Sequence, residues 1–228
     1  MSTSRILITA LVASLAACAG PRMYNRTQTA VSPAGVSAST LQERAALPLR
    51  GKCIVVDPGH GGKDPGASAV DGSREKDHNL TIARLVAQQL KEAGATVFMT
   101  RSSDKFISLD DRAAMADRHH CDLFLSIHAD AASNPSARGA TVYRARGAQA
   151  ASSECGEELL VALQQAGFPH RGLREAGFRV LMGHSRPSLL LECGFLSNTS
   201  DAANLSDPHW RARISNAVCR GVIAALRG

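Results

Sequence analysis

The chain has 228 residues, 44% of them hydrophobic and 20% charged, which is ordinary globular composition and enough for one well-buried α/β core. A formal charge of +6 favours an anionic partner such as nucleic acid, a phospholipid surface or an acidic wall polymer, yet the basic residues are scattered rather than gathered in runs. With aromatic residues at only 4% and no recognition-helix or zinc-finger spacing, the composition argues against nucleic acid.

Residues 1–17 carry one basic residue, Arg5, and then an apolar run from Ile6 to Ala17 that is too short to span a bilayer and has the length of a signal-peptide core. The expectation is export. The run ends in Leu15-Ala16-Ala17-Cys18, which resembles the lipobox of bacterial lipoproteins; by that resemblance Cys18 takes a lipid anchor and Ala19 directs the protein to the outer membrane, facing the periplasm. The plainer alternative is a small-residue cleavage site that releases a soluble protein. Residues 18–50, rich in Ala, Ser, Thr, Pro and Gln, read as a flexible tether, and 51–228 as one folded domain.

From there strands and helices alternate. The pattern predicts a strand over 52–57, a helix over 77–93 stopped by Gly94, a strand over 95–100, a helix over 108–119 capped by Ser108 or Asp110, and a buried strand over 122–127. A strand over 141–144, a helix over 152–165, strands over 178–181 and 188–191, and a closing helix over 208–226 follow. The implied fold class is α/β, a single domain with a largely parallel twisted sheet covered by helices on both faces. Ligands of such sheets bind beyond the carboxyl ends of the strands.

Three of the apolar strands run into residues that can do chemistry: Asp57 and His60, then His128, then Glu192, with Glu75 opening the first helix at the same edge. Two histidines and a carboxylate from separate segments suit zinc with a fourth position open to water, and a further carboxylate can move a proton. Gly59, Gly61, Gly62 and Gly66 let the backbone turn behind a ligand and leave space for substrate. Taken singly each residue has a duller reading, His60 and His128 as hydrogen-bonded histidines and Glu75 as a helix-start acid. The glycine cluster lacks the Gly-Lys-Ser/Thr of a phosphate loop, and residues 183–187 lack the second glycine of a nucleophile elbow. His78, one turn after Glu75, is expected at the rim, and His119, His120, His170, His184 and His209 at the surface.

The blocks Asp57-Pro58-Gly59-His60-Gly61-Gly62, Arg74-Glu75-Lys76-Asp77, Thr100-Arg101 with Asp104, Ser126-Ile127-His128-Ala129 and Glu192-Cys193-Gly194-Phe195-Leu196-Ser197-Asn198, in this order, resemble the type 3 family of zinc-dependent N-acetylmuramoyl-L-alanine amidases. The resemblance implies that His60, Glu75 and His128 bind Zn²⁺ and that Glu192 is the catalytic acid/base. It implies a peptidoglycan hydrolase that cuts the amide between N-acetylmuramic acid and the L-alanine of the stem peptide; the expected state is a monomer. Asp57 or a backbone carbonyl is expected to orient a ligand histidine. Asp130 departs from the family, which often has Asn there, and no long site-plugging insertion separates Tyr143 from Arg171. Two other readings remain: a catalytically silent peptidoglycan-binding lipoprotein, and a zinc peptidase acting within the stem peptide. Of Cys53, Cys121, Cys155, Cys193 and Cys219, the first two stand at equal distances before His60 and His128, so adjacent strands would make them neighbours, too far apart for a favoured disulfide.

Overall fold

The computed structural model describes residues 47–227; the expected signal peptide, Cys18 and the tether as far as residue 46 lie outside the described residues. Leu49 is fully buried and its N–H donates to Ala93 O at 2.9 Å, so packing against the domain begins before residue 51. In chain order the elements are β1 (Cys53–Pro58), α1 (Glu75–Glu92), β2 (Thr96–Met99), α2 (Leu109–Arg118), β3 (Leu123–Asp130), β4 (Ala140–Ala145), α3 (Ala150–Gln165), β5 (His170–Ala176), α4 (Arg179–Met182), β6 (Ser188–Phe195), α5 (Thr199–Ser206) and α6 (Pro208–Leu226).

Local chemistry sets their limits. Glu75 and Asp77 occupy the first turn of α1, where acids complement the helix dipole, and Gly94, at φ +101°, takes the left-handed conformation that ends it. Ser108 caps α2 by accepting from the Asp111 N–H, and Asp207 caps α6 with Pro208 just behind it. β1, β3 and β6 are buried along almost their whole length, as uninterrupted apolar strands in the middle of a covered sheet should be.

The six strands form one sheet in the order β2-β1-β3-β6-β4-β5. β1 pairs in parallel with β2 and β3, and β3 with β6; β4 runs antiparallel to β6, with β5 parallel to it at the edge. One face packs on α1, α3 and α6 through Ile82, Val86, Leu159, Leu163, Ile214 and Val218. The other packs on α2 and α4 through Ala116, Val180 and Leu181. This is the expected single α/β domain with a largely parallel sheet between helices.

The region around residue 175 departs from the expectation. Residues 178–181 do not form a strand: Arg179–Met182 is a helical turn, closed by Met182 N–H to Phe178 O and Gly183 N–H to Arg179 O. The strand is β5, whose sequence, His-Arg-Gly-Leu-Arg-Glu-Ala, has little apolar content because an edge strand need only bond one neighbour. The short α5 was also missed, being mostly small and polar. Cys53 and Cys121 pack into the same cluster on the α2 side, as expected of adjacent β1 and β3. Register puts Cys53 opposite Asp122 rather than Cys121, and all five described cysteines are free thiols.

Candidate metal and catalytic site

The site is built on the loop between β1 and α1, the carboxyl end of β3 and the middle of β6. His60, Glu75 and His128 offer ligand atoms that all lie within 4.8 Å of one another. Glu75 is the hub. Its Oε2 is 3.1 Å from His60 Nε2 and its Oε1 is 2.9 Å from His128 Nδ1. Ala67 N–H, Asn79 Nδ2 and Ala129 N–H donate to the same carboxylate and fix its position. Burial pushes the Glu75 carboxyl up, but the hydrogen bonds and charges of His128 and His60 outweigh it and hold the group below the usual carboxylate range. It is therefore ionised whenever the protein is folded near neutral pH.

Two glycines make this clustering possible. A Cβ on Gly59 would stand 2.2 Å from the His128 ring, and one on Gly66, at φ +68°, would stand 2.5 Å from Glu75 Oε2. These glycines thus make room for the putting together of the ligands themselves, where the sequence had suggested space for substrate. His60 is itself left-handed, at φ +58°, a conformation costing on the order of 1–3 kcal/mol for a non-glycine residue. The surroundings hold it there. Arg112 Nη2 donates to His60 O at 2.6 Å, and Arg101 donates to Pro58 O, Gly59 O and Lys76 O.

Asp57 does not orient a ligand. It is fully buried, paired with Arg112 Nη1 at 2.8 Å, and accepts from Thr100 and Ser126. The residue that orients His60 is Asp64, whose Oδ2 accepts from Nδ1 at 2.8 Å and leaves Nε2 toward Glu75. Asp64 lies four residues after His60 in the loop, a relation with no periodic signal in sequence. The buried arginines were equally hidden, since Arg112 reads as one more charged residue on a polar helix.

Glu192 lies within β6 rather than at its end, directly opposite His128 in the β3–β6 ladder, and both line the same cleft of about 650 Å³. Burial, then the Glu75 and Asp130 carboxylates, raise its carboxyl well above the ordinary range. Burial likewise raises Asp130, which caps the Ala131 N–H. Phe106, Leu109 and Phe178 give the cleft an apolar wall, and an Arg179–Asp110 ion pair joins α4 to the start of α2 beside it.

The remaining histidines are elsewhere. His78 is not at the rim: it is 4% exposed, hydrogen-bonded to Ser73 Oγ and Leu205 O, because its face of α1 turns toward α5. His119 stacks on Phe98 and His184 tilts against Phe124, both half-buried, as is His170; His120 and His209 are exposed as expected.

Two imidazole nitrogens and one ionised carboxylate, gathered from three segments, are the donor chemistry of a three-ligand zinc site. Residues 54–224 match the Amidase_3 family, N-acetylmuramoyl-L-alanine amidase. Relatives include the probable cell wall amidase LytH of Staphylococcus epidermidis, 39% identical over 79% of this chain, though the match spans only 60% of that relative's length. Among solved structures, the catalytic domain of CwlV, an N-acetylmuramoyl-L-alanine amidase of Bacillus (Paenibacillus) polymyxa, superposes with a TM-score of 0.72 at 32% identity, covering 77% of this chain and 98% of that one. The amidase AmiC2 of Nostoc punctiforme gives 0.71 at 34%, covering 78% and 98%. With three-quarters of its length inside the family's boundaries, the chain belongs to the type 3 N-acetylmuramoyl-L-alanine amidase family.

Proposed function

We propose that this protein is a zinc-dependent N-acetylmuramoyl-L-alanine amidase that hydrolyses the amide between the lactyl group of N-acetylmuramic acid and the L-alanine of the stem peptide in peptidoglycan. The observation that carries the reading is the meeting of the His60, Glu75 and His128 ligand atoms with a buried Glu192 in one cleft. Zinc held by those three residues would polarise the scissile carbonyl and lower the pKa of water toward about 7. Glu192 takes the proton of the attacking water and delivers it to the leaving nitrogen, since an amine anion is a very poor leaving group. Asp64 keeps the His60 ring in its tautomer and orientation throughout.

For the whole protein we infer a signal peptide at 1–17, a lipid anchor on Cys18, a tether to about residue 50, and a monomeric catalytic domain in the periplasm attached to the outer membrane. The leader sequence and the family's substrate support this placement. No helix of the described residues is long and apolar enough to cross a membrane.

The test is a digest of purified peptidoglycan read by mass spectrometry. Intact stem peptides with a free L-alanine amine are expected, together with one zinc per chain, and loss of both metal and product in His60→Ala, Glu75→Ala and His128→Ala. Cleavage within the stem peptide, or full activity of metal-free protein, would refute the proposal.

A further inference from the structure

We propose that Thr141 is a positioning residue for the reaction, its hydroxyl holding the Glu192 carboxylate by a hydrogen bond. The inference rests on the reading of Glu192 as the acid/base. β4 and β6 are antiparallel, and Thr141 is the residue directly opposite Glu192 in their ladder. Directly opposed residues of an antiparallel pair project from the same face with Cβ atoms about 4.5–5.5 Å apart, within reach of a hydroxyl–carboxylate bond once the two side chains turn toward each other. Thr141 is 1% exposed and Glu192 8%.

Two atoms there are out of keeping with a settled interior. Thr141 Oγ1 and Glu192 Oε2 are both buried, and neither has a hydrogen-bond partner among the described residues. One is a donor and the other an acceptor, and a buried polar atom left unpaired costs about 1–3 kcal/mol. Pairing them satisfies both atoms at once. Two other hydroxyls near the site are engaged, Thr100 and Ser126 both donating to Asp57.

The bond would have a specific effect on the chemistry. A glutamate has several rotamers, and proton transfer to or from it requires one of them, so a fixed donor on one carboxylate oxygen leaves the other aimed into the cleft. Thr141 reaches the substrate only through Glu192. Its own place in a strand explains a β-branched residue, but a valine would serve that purpose as well, without the unpaired hydroxyl.

The experiment uses the full zinc-loaded chain with Thr141→Val, Thr141→Ser, Glu192→Gln and the Thr141→Val/Glu192→Gln pair, measuring zinc content, kcat and KM on soluble muropeptides. Thr141→Val is expected to lower kcat by about 10- to 100-fold with KM and zinc unchanged, as removal of a ligand's or base's orienting partner does, and Thr141→Ser to restore most of it. The double variant is expected to be no slower than Glu192→Gln alone, because Thr141 acts through that carboxylate. A crystal structure of the zinc-loaded parent should show Thr141 Oγ1 within about 3 Å of a Glu192 carboxylate oxygen, and this distance decides the matter even if Thr141→Val fails to fold. An unchanged kcat in Thr141→Val, a multiplicative loss in the double variant, or a distance beyond hydrogen-bonding range would overturn the role of Thr141. Full turnover in Glu192→Gln would instead overturn the acid/base reading on which it rests.

Discussion

Glu192, the proposed acid/base, shows how a residue placed for chemistry can weigh on the fold. Its carboxyl is buried and faces two other carboxylates, so its folded pKa lies well above the unfolded value near 4.5. A group with this shift binds more protons folded than unfolded, and its contribution to stability falls as pH rises from the unfolded pKa through the folded one. Metal-free Glu192→Gln is therefore expected to melt at a higher temperature than the metal-free parent at pH 8, with the difference closing near pH 4, as calorimetry across that range can measure. Equal melting at both pH values would mean that the burial penalty is relieved in some other way. The same variant with zinc bound is expected to keep the metal and lose turnover by about a hundredfold or more. His60, Glu75, His128 and Glu192 were legible because each sits in a short motif beside a strand or helix start. Asp64, Arg101 and Arg112 were not, since their work is done against loop carbonyls and a histidine edge that only the folded chain brings near them.

At the scale of elements, the β1–α1 loop carries most of the site's precision. Two nearly buried arginines, from the segment after β2 and from α2, donate to carbonyls of residues 58–60, so the loop is held from outside as well as by its own Asp64, which accepts from His60 and from the Gly66 N–H. Gly59 passes against the His128 ring on neighbouring β3. Gly59→Ala is expected to displace that ring, lowering zinc affinity and activity while circular dichroism at 20 °C stays that of the parent. Zinc titration checks it, and an unaltered affinity would show the contact to be slack. The central strands were readable from sequence because burial on both faces forces continuous apolar runs. β5 and α4 were exchanged because an edge strand is defined by its ladder to β4 and a four-residue helix by its caps, neither of which leaves a hydrophobic period.

Across the whole molecule, the sheet divides the labour of its two faces. The α1, α3 and α6 side carries the larger apolar core, while the α2 and α4 side carries Glu192, His128, Asp57 and the cleft. The segment between β4 and β5, where the sequence has no long insertion, is occupied by α3, which packs on the face away from the cleft. Residues 47–228 alone are accordingly expected to digest peptidoglycan with no activator present, and a domain inert until a second protein is added would contradict this. The start at residue 47 matters, because Leu49 is part of the core.

The free thiols give the protein an internal clock. Cys53, Cys121, Cys155, Cys193 and Cys219 stand in β1, before β3, in α3, in β6 and in α6. Burial raises every one of them, Cys155 and Cys219 to about 11 and Cys121 to about 12, with Cys193 raised further. Only the thiolate reacts with an alkylating reagent, and a buried one reacts only when its surroundings open. Timed alkylation of the native protein followed by peptide mapping therefore reads five local opening rates without a single engineered label. Cys53, the one thiol among the described residues that is not buried, should be marked first, and Cys193, next to Glu192 within β6, last.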